Sequence, residues 1–212
     1  LLNKANTAQR EAYVEQLKVS LDLATHGKEH IVYVDEAHIH LDTDEGYGWT
    51  VKGQRAWISS CSPGLAKVSF YGVYFYNQGA VQIHSFDKAD SDNTLAVLKK
   101  IRAEFAESDK VTLIWDNASY HRSGLTQQAA RDINIRLMPL PAYSPDFMPV
   151  EHLWRWLRED VTYHRCYEHG SKKKKKVKEF EKNINVNPNV ITDRLWTKTS
   201  LNKNDEKLRF SN

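Results

Sequence analysis

The apolar residues of this chain gather in five short runs bounded by polar or turn-forming residues, a pattern typical of strands buried in a sheet. Two of the runs end directly in an acidic residue, Asp35 in IVYVD and Asp116 in VTLIWD. Two others flank the turn signal Asn77-Gln78-Gly79, which predicts a β-hairpin. The five predicted strands are residues 31–35, 67–77, 80–86, 111–115 and 133–140.

Elsewhere apolar residues recur every three or four positions, the spacing of an amphipathic helix. Thr7 and Asp92 are the predicted N-caps of two such stretches, and Gly27 is the predicted end of the first. Residues 47–60 predict two extended pieces around a turn at Lys52-Gly53. The predicted helices are residues 7–26, 92–106, 123–132 and 151–161, with at most short helices near 173–183 and 190–197.

The order of these elements predicts the fold class. Three strands come first and can form an antiparallel meander, after which strands alternate with helices. An antiparallel part followed by such alternation indicates a mixed sheet with helices on its faces. We therefore expect an α/β fold with a mixed five-stranded sheet and helices on both faces.

Composition places the chain among ordinary globular proteins. Its 212 residues are 41% hydrophobic and 27% charged. The longest apolar runs are far shorter than the roughly 20 residues that span a bilayer, so no membrane association is expected. The only cysteines, Cys61 and Cys166, lack metal-ligand spacing. They fit a reducing, cytoplasmic setting, and one disulfide between them is the other possibility.

Charge is distributed unevenly along the chain. Residues 162–212 carry 13 Lys or Arg against 6 Asp or Glu, whereas residues 1–161 carry 17 against 21. A basic segment beside a slightly acidic body is a common way to hold a polyanion next to an acidic metal site. The Lys172–Lys176 run fits a solvated, mobile tail equally well.

The letters Asp35-Glu36-Ala37-His38 resemble the metal-and-ATP motif of a helicase. Such a motor needs a glycine-rich loop ending in Gly-Lys-Ser/Thr, whose N–H groups bind the phosphates. The only Gly-Lys pair is followed by Glu29 and has no glycine five positions before it. We therefore reject the motor interpretation and read Asp35 as the end of a buried strand.

Three carboxylates can converge in such a fold. Asp35 and Asp116 follow strands, and Glu151 opens a helix after the proline-rich segment PAYSPDFMPV. An oxygen-only donor set suits Mg²⁺ or Mn²⁺, and two such ions about 4 Å apart can promote phosphodiester chemistry. His38 and His40 have the spacing of a shared metal site, but no third soft ligand accompanies them, so a structural or DNA-facing role is favoured over zinc.

Three segments carry a resemblance to a known family. YVDEAHIH, IWDNASYH and LPAYSPDFMPVEHLWRWLRE together resemble the catalytic domain of a DDE transposase, in the bacterial insertion-sequence branch of the mariner superfamily. The 34 residues between Asp116 and Glu151 match the interval of this branch. SPDFMPVEHLW matches its signature and is the most specific piece. The resemblance covers about residues 1–165 and implies the ribonuclease-H-like fold shared with retroviral integrases.

The resemblance implies roles for the acidic residues and their neighbours. Asp35, Asp116 and Glu151 correspond to the family's catalytic triad, which binds two Mg²⁺ or Mn²⁺ ions. Asn117 and His121 match the Asp-Asn…His pattern that the family places beside the metals, although His121 fits simple packing equally well.

A second region of resemblance suggests contacts with DNA or a partner subunit. GWTVKGQR resembles the family's Trp-x-x-Lys-Gly-Gln segment, close to a loop that makes such contacts in relatives. Trp49, Lys52 and Arg55 are therefore DNA-contact candidates.

The family also implies an activity and an organisation. Water would cleave a strand at the element's end, and the freed 3′-hydroxyl would attack target DNA at a TA dinucleotide, within a homodimer assembled on double-stranded DNA. Relatives carry a helix-turn-helix reader before this region, and we expect one here too. Residues 1–165 are the expected catalytic domain, and residues 166–212 a basic, partly flexible extension.

Other interpretations of the same residues stay open. The chain could be a ribonuclease-H-like nuclease with another role, or a decayed transposase that only binds DNA or a partner. At the residue level, Glu36 is expected to be solvated and Asp146 to support a turn. Trp154 is expected in the core and Trp156 partly exposed, since they point in different directions on a helix.

Overall fold

The elements of the fold follow the predicted order. The computed structural model describes residues 4–44, 46, 49–55, 57–60, 64, 66–86, 91–119 and 121–202. The strands are β1 (His30–His40), β2 (Lys67–Phe75), β3 (Ala80–Phe86), β4 (Val111–Trp115) and β5 (Ile135–Pro139). The α-helices are α1 (Thr7–Thr25), α2 (Ser91–Ala103), α3 (Gly124–Asp132), α4 (Val150–Leu157), α5 (Gly170–Ile184) and α6 (Pro188–Arg194).

The five strands form one mixed sheet in the order β3-β2-β1-β4-β5. Strands β1, β2 and β3 are antiparallel neighbours, whereas β4 runs parallel to both β1 and β5. Helices α1, α4, α5 and α6 pack on one face, and α2 and α3 pack on the other. The predicted α/β class, with helices on both faces of a five-stranded sheet, is confirmed.

Strand β1 is longer than predicted because β2 pairs with it as far as His40. Strand β4 pairs only with His30–Tyr33. Asp35 therefore lies within β1, opposite Gly72, and the prediction that it ends the strand is wrong. Asp35 lies two residues beyond Tyr33, the last residue of β1 that pairs with β4. Among the described residues, no strand therefore pairs with β1 at Asp35 on that side.

Alternation along β1 separates two adjacent acids. Successive side chains of a strand point to opposite faces of the sheet. Tyr33 belongs to the cluster under α1, α4, α5 and α6, and Val34 to the cluster under α2 and α3. By the same alternation Asp35 faces α4, whereas Glu36 faces the α2 and α3 side.

The ends of the helices and the turn near residue 52 match the predicted local structure only in part. Asn6, not Thr7, caps α1, since its Oδ1 accepts the N–H three residues on at 3.1 Å. Asp92 lies inside the first turn of α2 and does not cap it. Gly27 follows α1 with a φ of +66°, as its predicted role requires. The turn at Lys52-Gly53 is present, but the flanking residues described between 49 and 60 form no strand.

The basic C-terminal segment packs on the sheet as far as the structure describes it. Helix α5 has 15 residues, so the expectation of at most short helices is wrong here. Its apolar side chains Val177, Phe180 and Ile184 join the core. Lys173 is also buried: its Nζ donates to the His40 carbonyl, and burial lowers its pKa to about 8.

Helix α5 also covers the free edge of β3. The Asn185 side chain accepts from the Val81 N–H at 2.9 Å and donates to the Val81 carbonyl at 2.8 Å. The Glu181 carboxylate accepts from the Ile83 N–H at 2.9 Å. An edge strand with unpaired N–H and C=O groups invites association, and these side chains satisfy three such groups of β3. Residues 203–212, expected to fray, lie outside the described residues.

Two further expectations concern the surroundings of the protein. Among the described helices, none combines the length and apolarity needed to cross a bilayer. Cys166 is disulfide-bonded, which weakens the argument for a reducing setting, and Cys61 lies outside the described residues. A cytoplasmic location stays a prediction.

Candidate active site

The three predicted carboxylates line one cleft of about 510 Å³. Asp35 comes from β1, Asp116 follows β4, and Glu151 lies in the first turn of α4. Tyr33 of β1 pairs with Ile114 of the parallel strand β4, so two residues further along Asp35 comes level with Asp116. Sheet register and one helix start thus bring distant acids together.

Asp35 is held by the helix that carries Glu151. The indole N–H of Trp154 donates to Asp35 Oδ2 at 2.9 Å. Burial, and then the charges of Glu151 and Glu36, raise the pKa of Asp35 well above its usual value, and the indole hydrogen bond opposes that shift. The carboxylate therefore sits in a place where negative charge is concentrated and poorly solvated.

Asp116 is more exposed than Asp35, and 51% of its side chain is accessible to solvent. Its Oδ1 accepts from the Ala118 N–H at 2.9 Å and contacts His121 Nδ1 at 2.8 Å. The hydrogen bond from His121 is the main cause that lowers the pKa of Asp116 below its usual value. This carboxylate is therefore ionised and fixed in orientation at neutral pH.

His121 connects two carboxylates beneath the cleft. Only 1% of its side chain is exposed, and its ring stacks on Trp115 with centroids 4.2 Å apart. Its Nε2 contacts Glu36 Oε1 at 2.9 Å. Burial favours the neutral ring, but hydrogen bonds to Asp116 and Glu36 outweigh it and raise the pKa of His121 to about 9. The expectation that Glu36 is solvated is wrong, since only 6% of its side chain is exposed.

Glu36, Asp116 and His121 also lie close enough to be considered as metal ligands, with ligand atoms within 4.8 Å of one another. The two ring nitrogens, however, face different carboxylates on opposite sides of the imidazole. A single ion cannot replace both contacts, whereas a doubly protonated ring satisfies both. The arrangement is that of an imidazolium between two carboxylates.

Comparison with known proteins identifies the family of this chain. A family model described as DDE superfamily endonuclease matches residues 30–173. The chain belongs to this family. It is also 30% identical over 139 residues to the insertion element IS630 uncharacterized 39 kDa protein of Shigella sonnei, a match that covers 64% of this chain and 40% of that protein. The chain thus spans about two fifths of the length of that curated relative.

Solved structures of the Mos1 transposase share the fold. The mariner Mos1 paired end complex with Mg superposes with a TM-score of 0.64 at 18% identity, covering 91% of this chain and 60% of that chain. The catalytic domain of Mos1 mariner transposase superposes with a TM-score of 0.58 at 16% identity, covering 91% and 92%. The predicted ribonuclease-H-like fold of this DDE family member is confirmed.

The remaining predicted site residues fall into two groups. Asn117 borders the cleft, and its side-chain amide donates to the Leu140 carbonyl, which ties the end of β4 to the loop after β5. Trp49, Lys52 and Arg55 are exposed on the connection between β1 and β2 and are not among the described residues that line the cleft. Their role as DNA contacts stays a prediction.

The loop before Glu151 is fixed by long-range ion pairs. Arg10 of α1 donates to both carboxylate oxygens of Asp146, at 3.0 and 2.6 Å, and Lys198 lies 3.0 Å from the same group. Asp146 therefore does more than support a local turn. Its partners lie far away in the sequence, which is why the turn pattern alone did not reveal them.

Three other site residues escaped the sequence analysis. Glu36 contacts His121, and Trp154 donates to Asp35, though it was expected only as a core residue. Arg122 also lines the cleft. Trp156, by contrast, is buried against Phe180, so its predicted partial exposure is wrong.

Proposed function

We propose that this protein is the catalytic part of a transposase, which cleaves DNA strands at the ends of a mobile element and joins them to target DNA. The observation that carries the proposal is the shared cleft of Asp35, Asp116 and Glu151, supplied by three separate elements. Membership of the DDE superfamily endonucleases supports it. The IS630 relative and the Mos1 likeness agree with it.

The three carboxylates fit a pair of divalent cations. Burial, and after it the charges of Glu151, Glu36 and Asp116, raise the pKa of Asp35, so a cation bound by these carboxylates would relieve the repulsion. The donor set contains only carboxylate oxygens, which Mg²⁺ and Mn²⁺ prefer. When bound, such ions activate the attacking hydroxyl and stabilise the leaving oxygen of a phosphodiester. The related Mos1 complexes include one with Mg and one with Mn.

The protein's own residues hold the carboxylates and the DNA in place. Trp154 fixes Asp35, and the imidazolium of His121 fixes Asp116. Arg122 at the rim of the cleft is placed to contact a DNA phosphate. Water is the proposed nucleophile of the first step and the freed 3′-hydroxyl that of the second, so no side chain needs to form a bond to DNA.

The lysine-rich face of α5 is the proposed surface for DNA phosphates. Lys173 is buried, but five neighbouring lysines are exposed. Glutamates of the same region pair with three of them, so the helix keeps a positive excess. Contacts of this kind carry little sequence information and weaken steeply with salt. The exposed lysines are Lys172, Lys175, Lys176, Lys178 and Lys182.

Reversing two of these charges should weaken DNA binding without unfolding the protein. In the double variant Lys175→Glu and Lys182→Glu, the slope of log affinity against log salt should fall by about two, because each lost phosphate contact removes about one. Fluorescence anisotropy with a duplex of arbitrary sequence, repeated at several salt concentrations, measures the affinity and so the slope. Lys99→Glu on α2, exposed on the opposite face, is the matched control. Equal slopes for all three proteins would remove α5 from the DNA surface.

Nicking of supercoiled DNA in Mn²⁺ tests the proposed activity. We expect this chain to convert supercoiled plasmid to the open circular form slowly and with little sequence preference. We expect a longer protein that contains the predicted helix-turn-helix region to cut at its own element ends. Cation-dependent binding without cleavage in both proteins would instead identify a remnant that only binds DNA.

Several finer points belong to the proposal alone. A homodimer on paired DNA ends, insertion at TA and a preceding DNA reader rest on family resemblance. The similar Mos1 structures include a paired-end complex and a strand transfer complex of that protein. The division into a catalytic domain at residues 1–165 and an extension at 166–212 also stays a prediction.

A further inference from the structure

One turn of α4 carries two groups directed at the same site. Glu151 and Trp154 are three residues apart, so they lie on one side of the helix. Glu151 lines the cleft, and Trp154 reaches Asp35 through its indole N–H. Helix α4 therefore contributes the Glu151 carboxylate to the cleft and also holds the Asp35 carboxylate through a hydrogen bond.

We propose that Trp154 is a positioning residue, whose N–H holds Asp35 Oδ2 so that Oδ1 is the oxygen presented to a divalent cation. This inference rests on the proposed function, since it concerns the same carboxylate site. An indole has one donor and no acceptor, so it can only donate a hydrogen bond to the carboxylate oxygen and does not exchange a proton with it. A partner of this kind fixes the rotation of the carboxylate before a cation arrives.

Burial of the ring alone does not account for this contact. Trp154 is 3% exposed, which its packing in the core explains. A buried indole N–H still needs an acceptor, and backbone carbonyls meet that need in most cores. Here the acceptor is Asp35 Oδ2, at 2.9 Å, in a carboxylate that lines the same cleft as Asp116 and Glu151. A hydrogen bond from Trp154 to a carboxylate of the cleft indicates a role in the site in addition to packing in the core.

Strand β2 has a glycine at the position where the indole ring of Trp154 packs against it. Gly72 lies directly opposite Asp35 in the sheet. A Cβ at this position would lie 2.7 and 2.8 Å from carbons of the Trp154 ring and 2.9 Å from Val150. Any side chain there would force the indole away from Asp35. The φ of Gly72 is not positive, so the space needed by the indole, and not the backbone conformation, explains the glycine.

Binding of Mn²⁺ by the isolated protein tests the inference without any DNA reaction. Trp154→Phe keeps an aromatic ring and removes the N–H. Its Mn²⁺ affinity, measured by isothermal titration calorimetry, should fall by about tenfold, the lower end for loss of a group that orients a metal ligand. Trp156→Phe is the matched control, because it removes an indole N–H from the same helix beside Phe180. The control should bind Mn²⁺ like the unaltered protein.

Asp35→Asn separates failure of the inference from failure of the proposed function. If Asp35→Asn binds Mn²⁺ poorly while Trp154→Phe, with an unchanged melting temperature, binds it normally, the positioning role is overturned. If Asp35→Asn binds Mn²⁺ normally, the proposed cation site is itself wrong.

Spectroscopy of the unaltered protein covers the case in which Trp154→Phe fails to fold. Addition of Mg²⁺ should shift the assigned ¹⁵N-indole signal of Trp154 and leave that of Trp156 in place. A Trp154 signal that does not respond to saturating Mg²⁺ would overturn the inference.

Discussion

Replacing Asp116 by Asn should abolish Mn²⁺-dependent nicking of supercoiled DNA. The variant keeps the size of the side chain, and its carbonyl can still accept the Ala118 N–H that Asp116 accepts at 2.9 Å. It removes the charge that a cation needs. A bound metal contributes several kcal/mol to charge stabilisation in the transition state, so the rate should fall about a thousandfold.

The control for Asp116→Asn is Asp132→Asn, which neutralises another exposed acid at the end of α3. Both variants should melt near the unaltered protein. Plasmid nicking followed on agarose gels gives the rates. Persistent cleavage by well-folded Asp116→Asn would show that this carboxylate is not part of the cation site.

Replacing His121 by Ala should cost the fold about 3 kcal/mol, the low end for breaking a buried ion pair. The change leaves Glu36, with 6% of its side chain exposed, without its cationic partner. It also frees Asp116 to rotate, so nicking should decline as well. Urea unfolding at pH 6, without added divalent cation, measures the stability loss. His26→Ala, an exposed histidine at the end of α1, is the control.

The effect of His121→Ala should depend on pH in a defined direction. In the folded protein the pKa of His121 is raised from 6.5 to about 9. A raised pKa stabilises the fold fully below pH 6.5, and that contribution is lost as pH rises through about 9. The stability gap between the two proteins should therefore shrink between pH 6.5 and 10. A gap that widens over this range would contradict the imidazolium assignment.

The sequence predicted which carboxylates share a cleft better than it predicted the surroundings of these carboxylates. Apolar runs ending in Asp35 and Asp116, and an acid at a helix start, were enough to propose a shared cation site. The true length of β1 was not predictable, because pairing with β2 beyond Asp35 is a tertiary event. Glu36 looked solvated for the same reason. Glu36 is buried because β1 continues past Asp35 and because His121, 85 positions further along the chain, contacts the Glu36 carboxylate.

In the sequence of helix α5, the polar composition obscured a helical periodicity of apolar residues. Its lysines and asparagines suggested a mobile tail, yet Val177, Phe180 and Ile184 have helical spacing and occupy the core. Composition describes the exposed side of such a helix, whereas periodicity describes the buried side. The role of Asn185 in covering β3 depends on sheet order, which local patterns do not contain.

Anomalous diffraction from crystals soaked in Mn²⁺ tests the central claim most directly. We expect manganese peaks inside the cleft, about 2.1 Å from carboxylate oxygens of Asp35, Asp116 and Glu151, the distance of small oxygen-bound divalent cations. Asp35 should contribute Oδ1 while Oδ2 stays bonded to Trp154. Manganese bound elsewhere, with none of the three carboxylates as a ligand at saturating concentration, would contradict the proposed site.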